Sequence, residues 1–173
     1  MISSRSSRQW IAVVALAGAL AAASGAGAAS QRAAGDNLCK LSASSGWKKA
    51  EAAIQAASPK VDAALGGQNV KDGMAAAKAM ANGLRDESKL LAKASGDRKV
   101  KDALAKAYDQ AAKSYDLIAD KLPVLAGGLK AAQKGDLKAM TKVMDVLGKV
   151  MEPAAKAMGA LSVNWSDLLK GCK

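Results

Sequence analysis

The most constraining feature of the sequence is a seven-residue repeat at 99–126. The stretch KVKDALAKAYDQAAKSYDLIADKLPVLA divides into four heptads, of which the first three begin with Lys and carry Asp at the fourth position. Apolar residues recur in it at steps of three and four, so they lie along one side of an α-helix. A 3.5-residue period kept over several heptads is typical of helices packed at shallow angles. The repeat predicts a long helix within a bundle.

Three further segments share this spacing, and short glycine-containing turns separate all four. The turns are LGGQN at 65–69, SGD at 95–97 and KGD at 134–136. Each combines a glycine suited to a helix C-terminus with a polar residue able to cap the next helix, here Asn69, Asp97 and Asp136. The predicted helices cover 37–65, 70–94, 98–134 and 137–170.

Each predicted helix has one mostly apolar row, called its seam. The seams are Trp47, Ala50, Ile54, Ala57, Val61 and Ala64; then Val70, Met74, Ala77, Ala81, Leu84, Ser88 and Leu91; then Leu104, Tyr108, Ala111, Tyr115, Ile118, Leu122, Leu125, Leu129 and Ala132; and finally Leu137, Met140, Met144, Leu147, Met151, Ala154, Met158, Leu161, Trp165 and Leu168. Turns of two to five residues make consecutive helices antiparallel. The predicted fold is therefore all-α, an antiparallel up-down-up-down four-helix bundle with Ala-, Leu- and Met-rich heptad seams.

Three prolines fall inside the predicted helices. An interior proline removes one backbone hydrogen bond and usually kinks a helix. We expect kinks or short breaks at 121–123 and 151–153, and a fresh turn beginning at Pro59. The GGL sequence at 127–129 could also end the third helix early.

The first 28 residues have the features of a cleaved export signal. Arg5 and Arg8 precede an apolar run at 11–23, and Ala26 and Ala28 provide small residues for cleavage. The apolar run is too short for a membrane anchor, which needs about 20 residues. We therefore expect a signal peptide at 1–28, a single helical-bundle domain at 29–173, and a secreted or periplasmic/extracellular protein that is not an integral membrane protein.

Cys39 and Cys172 are the two cysteines of the chain. An even pair in an exported protein favours a disulfide. The up-down order places the start of the first helix and the end of the fourth at the same end of the bundle. A Cys39–Cys172 bridge is therefore the expected pairing, with two free thiols as the alternative.

The charge of the chain is strongly positive and evenly spread. Its net charge is +11, with 26 Lys and Arg against 15 Asp and Glu. In the repeat, i,i+3 and i,i+4 spacings from Lys99 to Asp116 predict a ladder of ion pairs on a solvated face. A dispersed excess suits attraction to an anionic partner or surface better than a specific nucleic-acid site. We expect such a docking role in the cell envelope.

The residues that could line a ligand site lie on the third and fourth seams. They are Tyr108, Tyr115, Met140, Met144, Met151 and Met158. The tyrosines fit three roles: core residues with hydroxyls at a rim, the lining of a cavity, or a tyrosinate bound to haem iron. The methionines fit gap-filling or a loose seam that admits an apolar ligand, and they are too widely spaced to share one copper ion. The alternative function is thus a carrier of a small apolar ligand, lipid-like or, less favoured, haem.

Catalytic and metal-binding patterns are missing from the sequence. The chain has no histidine, and its acids alternate with lysines instead of forming convergent pairs. No motif has the spacing of a metal site or a phosphate-binding loop. We therefore expect a non-enzymatic protein with no catalytic residue, no bound metal and no cofactor.

Overall fold

The computed structural model describes residues 40–94 and 98–160, and all the regular structure there is helical. A helical turn at 40–43 precedes four helices: α1 Ser45–Leu65, α2 Val70–Lys93, α3 Arg98–Gln133 and α4 Leu137–Ala160. The all-α prediction is confirmed, and the predicted bounds of α2 and α3 agree with the structure within a residue. The predicted extension of α4 to residue 170 lies outside the described residues.

The helix starts show which capping predictions hold. Asp136 accepts a hydrogen bond from the backbone N–H of Ala139 at 3.0 Å, as a cap should. Asn69 occupies the cap position of α2 in a left-handed conformation, but its side chain donates to Asp72 and caps no backbone group. The first helix begins later than expected, since Ser44 accepts from Trp47 N–H at 3.3 Å and starts a new helix. The predicted cap Asp97 lies outside the described residues.

The prolines do not interrupt the helices. Pro59, Pro123 and Pro153 lie inside α1, α3 and α4, and the helices continue through them without the breaks expected at 121–123 and 151–153. Pro59 and Pro123 are on exposed faces. For Pro59, the carbonyl that loses its N–H partner belongs to the exposed Gln55, where water can bond to it. The GGL stretch at 127–129 also stays helical.

The helices pack in chain order: α1 on α2, α2 on α3, and α3 on α4. Glycines mark the closest approaches. A Cβ on Gly73 would collide with Ala64 of α1 and lie 2.9 Å from Leu122 Cδ2 of α3, and one on Gly83 would lie 2.7 Å from Ile54 Cγ1. Contacts 54–83 and 64–73 show that α1 and α2 are antiparallel. Between the described parts of α1 and α4 there is no extensive packing, so the predicted four-helix bundle is not confirmed by the described residues.

One core lies between α1, α2 and α3. The predicted seams of these three helices are buried or half-buried along their length, with Val61, Ala77, Leu84, Leu91 and Leu104 almost completely inaccessible. Tyr108 and Tyr115 belong to this core. The first three seam predictions are therefore confirmed.

The predicted seam of α4 is wrong over its first half. Leu137, Met140 and Met144 are 76%, 52% and 53% exposed, whereas Val143, Val150 and Ala154 are buried against α3. Val143 packs on Gly128, and the backbone N–H of Ala154 bonds to Ser114 Oγ at 3.2 Å. The small residues of α3 at these positions admit the valine side of α4, which leaves the methionine side free.

The observed packing of α4 predicts very different changes in the free energy of unfolding for two adjacent residues. Val143→Asp should lower the free energy of unfolding by several kcal/mol, because it places a carboxylate in the α3–α4 contact. Met144→Asp should change it by less than about 0.5 kcal/mol, because that side chain is in water. Urea unfolding followed by circular dichroism measures both. Equal losses for the two variants would show that α4 packs through the methionine side after all.

Candidate functional site

Tyr108 and Tyr115 are buried on α3 and belong to the core between α1, α2 and α3. The rings of Tyr108 and Trp47 pack edge to face, with centroids 5.8 Å apart. Burial, with Glu87 and Glu51 nearby, raises the pKa of Tyr108 above its usual range. Burial and then the charge of Asp62 raise the pKa of Tyr115 to about 12. Both hydroxyls therefore stay protonated at physiological pH, which disfavours the tyrosinate form needed for haem ligation.

Met140 and Met144 take no part in that core. Met140 and Met144 are exposed on α4, and Met151 is half-buried. Their neighbour Val143 contacts Gly128, which is thirteen residues, or about 20 Å, along α3 from Tyr115. The structure thus does not bring Met140 and Met144 together with the tyrosines. The side chain of Met158 lies outside the described residues, as do Cys39 and Cys172.

A buried carboxyl group, missed in the sequence, lies in the main core. Glu87 of α2 is only 4% exposed, and no hydrogen bond joins its carboxyl to another described residue. Burial, and then the charge of Glu51 on α1, raise its pKa to about 8. The sequence did hold a signal, since Glu87 follows Leu84 by three residues and precedes Leu91 by four. The seam had been drawn through Ser88, whose hydroxyl instead donates to the Ala105 carbonyl at 2.7 Å.

The ion pairs differ from the predicted ladder on α3. Lys113 pairs with Asp109 at 2.9 Å as expected, but Asp116 pairs across to Arg85 of α2. Asp102 forms an ion pair with Arg98 instead, with 3.5 Å between Arg98 Nε and Asp102 Oδ2. The other predicted ladder pairs are not formed between the described side chains. Lysines 99 and 106 are therefore left exposed without a carboxylate partner there.

The far end of the α3–α4 hairpin extends beyond the main core. Since Gly73 lies against Leu122, α2 begins at Val70 near the level of Leu125. The last eight residues of α3 continue about 12 Å past that point, and Gly128 among them packs against Val143 of α4. We call this end, residues 126–144, the α3–α4 tip. Gly135, with φ 93°, forms its turn.

The α3–α4 tip combines exposed apolar and basic side chains. Leu137 and Met140 are exposed on the first turn of α4. Lys130, Lys134, Lys138 and Lys142 are also exposed, and none of them has a carboxylate partner within the described residues. Asp136, the acid among them, is engaged as the cap of α4. The ion pairs of α4, Lys149–Asp145 and Lys156–Glu152, lie farther along the helix.

This combination of helices and charges does not place the chain in a known group. The chain matches no protein family, no curated protein and no solved structure. Its function must be argued from its own described residues.

No three His, Cys, Asp or Glu side chains in 40–94 and 98–160 come together as metal ligands. In the same ranges, none of the helices has the length and hydropathy needed to cross a bilayer. What the surface presents is unpaired positive charge and, at the α3–α4 tip, exposed apolar side chains. Both suit attachment to an anionic, partly apolar surface.

Proposed function

We propose that the protein is an exported, non-enzymatic binding protein that docks on an anionic partner or surface of the cell envelope. The observation that carries this proposal is the excess of exposed lysines without ion-pair partners in the described chain. Unpaired lysines on all four helices create a positive potential around the molecule. Such a potential draws in anionic surfaces and is screened by salt.

The proposal includes export with removal of residues 1–28, and a Cys39–Cys172 disulfide. The support for the disulfide is the arrangement of the helices. Trp47 near the start of α1 contacts Tyr108, and the backbone N–H of Ala154 on α4 donates to Ser114 Oγ. Both ends therefore lie beside the same part of α3. A bridge between the flanking cysteines would draw α1 and α4 together and complete the four-helix bundle. The intact mass of the exported protein, before and after alkylation, tests cleavage and bridge.

The docking proposal predicts a steep dependence of binding on salt. The purified protein should be retained by anionic liposomes or anionic cell-wall polymer in about 20 mM salt and released in about 500 mM salt. The Debye length shortens from roughly 20 Å to about 4 Å over that range. Co-sedimentation measures the bound fraction. If the protein is not retained even at low salt, the docking proposal is wrong. If it is retained at high salt as well, the electrostatic mechanism is wrong.

The alternative function, a carrier of a small apolar ligand, draws on the methionine row along the free side of α4. Met140, Met144 and Met151 would line the ligand site, and binding would be nearly independent of salt. Met144→Ala should then weaken ligand binding without affecting liposome retention. Calorimetry with fatty acids, sterols and haem separates the two functions.

A further inference from the structure

We propose that the α3–α4 tip is the element that docks, end-on, on an anionic lipid bilayer surface. This inference rests on the proposed function and narrows it to one site and one partner. Three observations carry it: the extension of the tip past α1 and α2, the exposed Leu137 and Met140, and the unpaired Lys130, Lys134, Lys138 and Lys142.

The extension makes the tip accessible to a flat surface. Beyond Leu125, Gly128 of α3 packs against Val143 of α4, while the end of α1 and the start of α2 lie near the level of Leu122, where Gly73 meets Ala64 and Leu122. The turn at Lys134–Asp136 therefore meets a plane before the rest of the described molecule does. A convex end of this kind suits a deformable surface better than a groove on a folded partner.

The orientation follows from where the side chains lie around α4. Met140 is about 160–200° round the helix from Lys138 and Lys142. If α4 lay flat on a surface, either the apolar or the basic side chains would point away from it. With the tip end-on, both sets reach the surface. Lys142 is five residues from the start of α4, about 7.5 Å, and Lys130 is three residues from the end of α3, about 4.5 Å.

The mixture of side chains favours lipid as the partner. Leucine and methionine at the end of the hairpin can enter the boundary between headgroups and acyl chains, which lies about 5–10 Å deep. The four ammonium groups lie within about a Debye length of the same plane, where they attract anionic headgroups. A purely anionic polymer would use the lysines and leave Leu137 and Met140 in water. A bilayer surface engages both the two apolar side chains and the four lysines.

The test compares two variants of equal charge by co-sedimentation with phosphatidylglycerol vesicles at about 100 mM salt. The tip variant carries Lys→Gln at 130, 134, 138 and 142. The control variant carries Lys→Gln at 48, 49, 78 and 93, which are equally exposed and unpaired among the described residues but lie off the tip. The tip variant should lose about 600-fold in partition coefficient and the control less than about threefold, since each of the four lysines near the surface contributes roughly fivefold.

A second pair tests the apolar contact. Leu137→Ser should reduce the partition coefficient about tenfold, while Val124→Ser, at another exposed apolar residue of α3, should leave it unchanged. Equal losses for the two lysine variants would show that the tip is not the docking site. The proposed function would then remain, with lysines over the whole surface contributing to binding. Binding of the wild type to anionic cell-wall polymer but not to vesicles would overturn the lipid surface alone. Binding to neither would remove the proposed function itself.

Discussion

Raising the pH from 6 to 9 should lower the free energy of unfolding by about 2–3 kcal/mol, because folding traps a proton on Glu87. The pKa of this carboxyl is about 8 in the folded chain against an ordinary value of 4.5. Between those values the folded state holds a proton that the unfolded state has released. Stability is therefore full below about pH 4.5 and falls as the pH rises through 8, by up to about 1.4 kcal/mol per unit.

This pH window reports on Glu87 with little interference. The chain contains no histidine, the residue type whose titration would most often overlap with this pH range. The charged and titratable groups that influence Glu87 across the helix contacts are Glu51 on α1 and Tyr108 on α3. Tyr108 stays protonated throughout, and neither of these two groups carries a positive charge. Ionised Glu87 therefore gains no compensating positive partner.

Two glutamine variants separate Glu87 from its neighbour. Glu87→Gln should remove most of the pH dependence and should be more stable than the wild type at pH 9, since the amide stays neutral. Glu51→Gln should keep most of the slope, because burial and not Glu51 is the larger cause of the shift. Urea unfolding at each pH gives the free energies. A wild-type protein equally stable at pH 6 and 9 would mean that Glu87 is hydrated in the folded state.

Gly73→Ala should lower the free energy of unfolding by about 1–3 kcal/mol, although alanine is normally the better helix residue. The added methyl group would collide with Ala64 and press against Leu122, with the Lys60 carbonyl oxygen at 3.2 Å. These atoms belong to two other helices, so both contacts must open. Overpacking of this kind outweighs the gain of roughly 1 kcal/mol in helix propensity.

The matched control is Gly148→Ala, in the middle of α4. A Cβ at Gly148 has nothing within 4 Å, so only the propensity gain remains. This variant should be more stable than the wild type by about 0.5–1 kcal/mol. Thermal and urea unfolding of the two variants should therefore move in opposite directions. If both are stabilised, the close approach of α1, α2 and α3 at Gly73 does not exist in solution.

The sequence predicted the elements better than their assembly. In α1, α2 and α3 the predicted row is buried or half-buried, so the period identified one buried face of each helix. It did not identify the further buried rows, which are Gly73, Met80 and Glu87 on α2 and Ala105, Ala112, Ala119 and Ala126 on α3. In α4 two rows compete, Val143 with Val150 and Met140 with Met144, and period does not rank them. The choice is made on α3, where Gly128 and Ser114 admit the valine row. That information lies in another helix and is invisible in α4 itself.

The features that matter most for stability and docking depend on contacts between distant segments. In the sequence, Gly73 is a residue of low helix propensity. Its role becomes visible only in the packed structure, where Ala64 and Leu122 leave no room for a larger side chain. The spacing of Glu87 from Leu84 and Leu91 indicates the buried side of α2, but the loss of solvent around its carboxyl depends on α1 and α3 as well. The α3–α4 tip arises from unequal lengths, since α3 has 36 residues and α2 has 24. Helix lengths were predictable, but the relative shift between the helices was not.

Packing in chain order has a consequence for how the molecule folds and opens. Nearly every large contact joins a helix to its neighbour in sequence, which is the low contact order typical of fast-folding helical proteins. The α3–α4 contact is separate from the core shared by α1, α2 and α3. In the described chain, α4 can therefore detach as a local opening while the three-helix core stays folded. Hydrogen exchange in α4 would then be governed by a smaller free energy than exchange in α2.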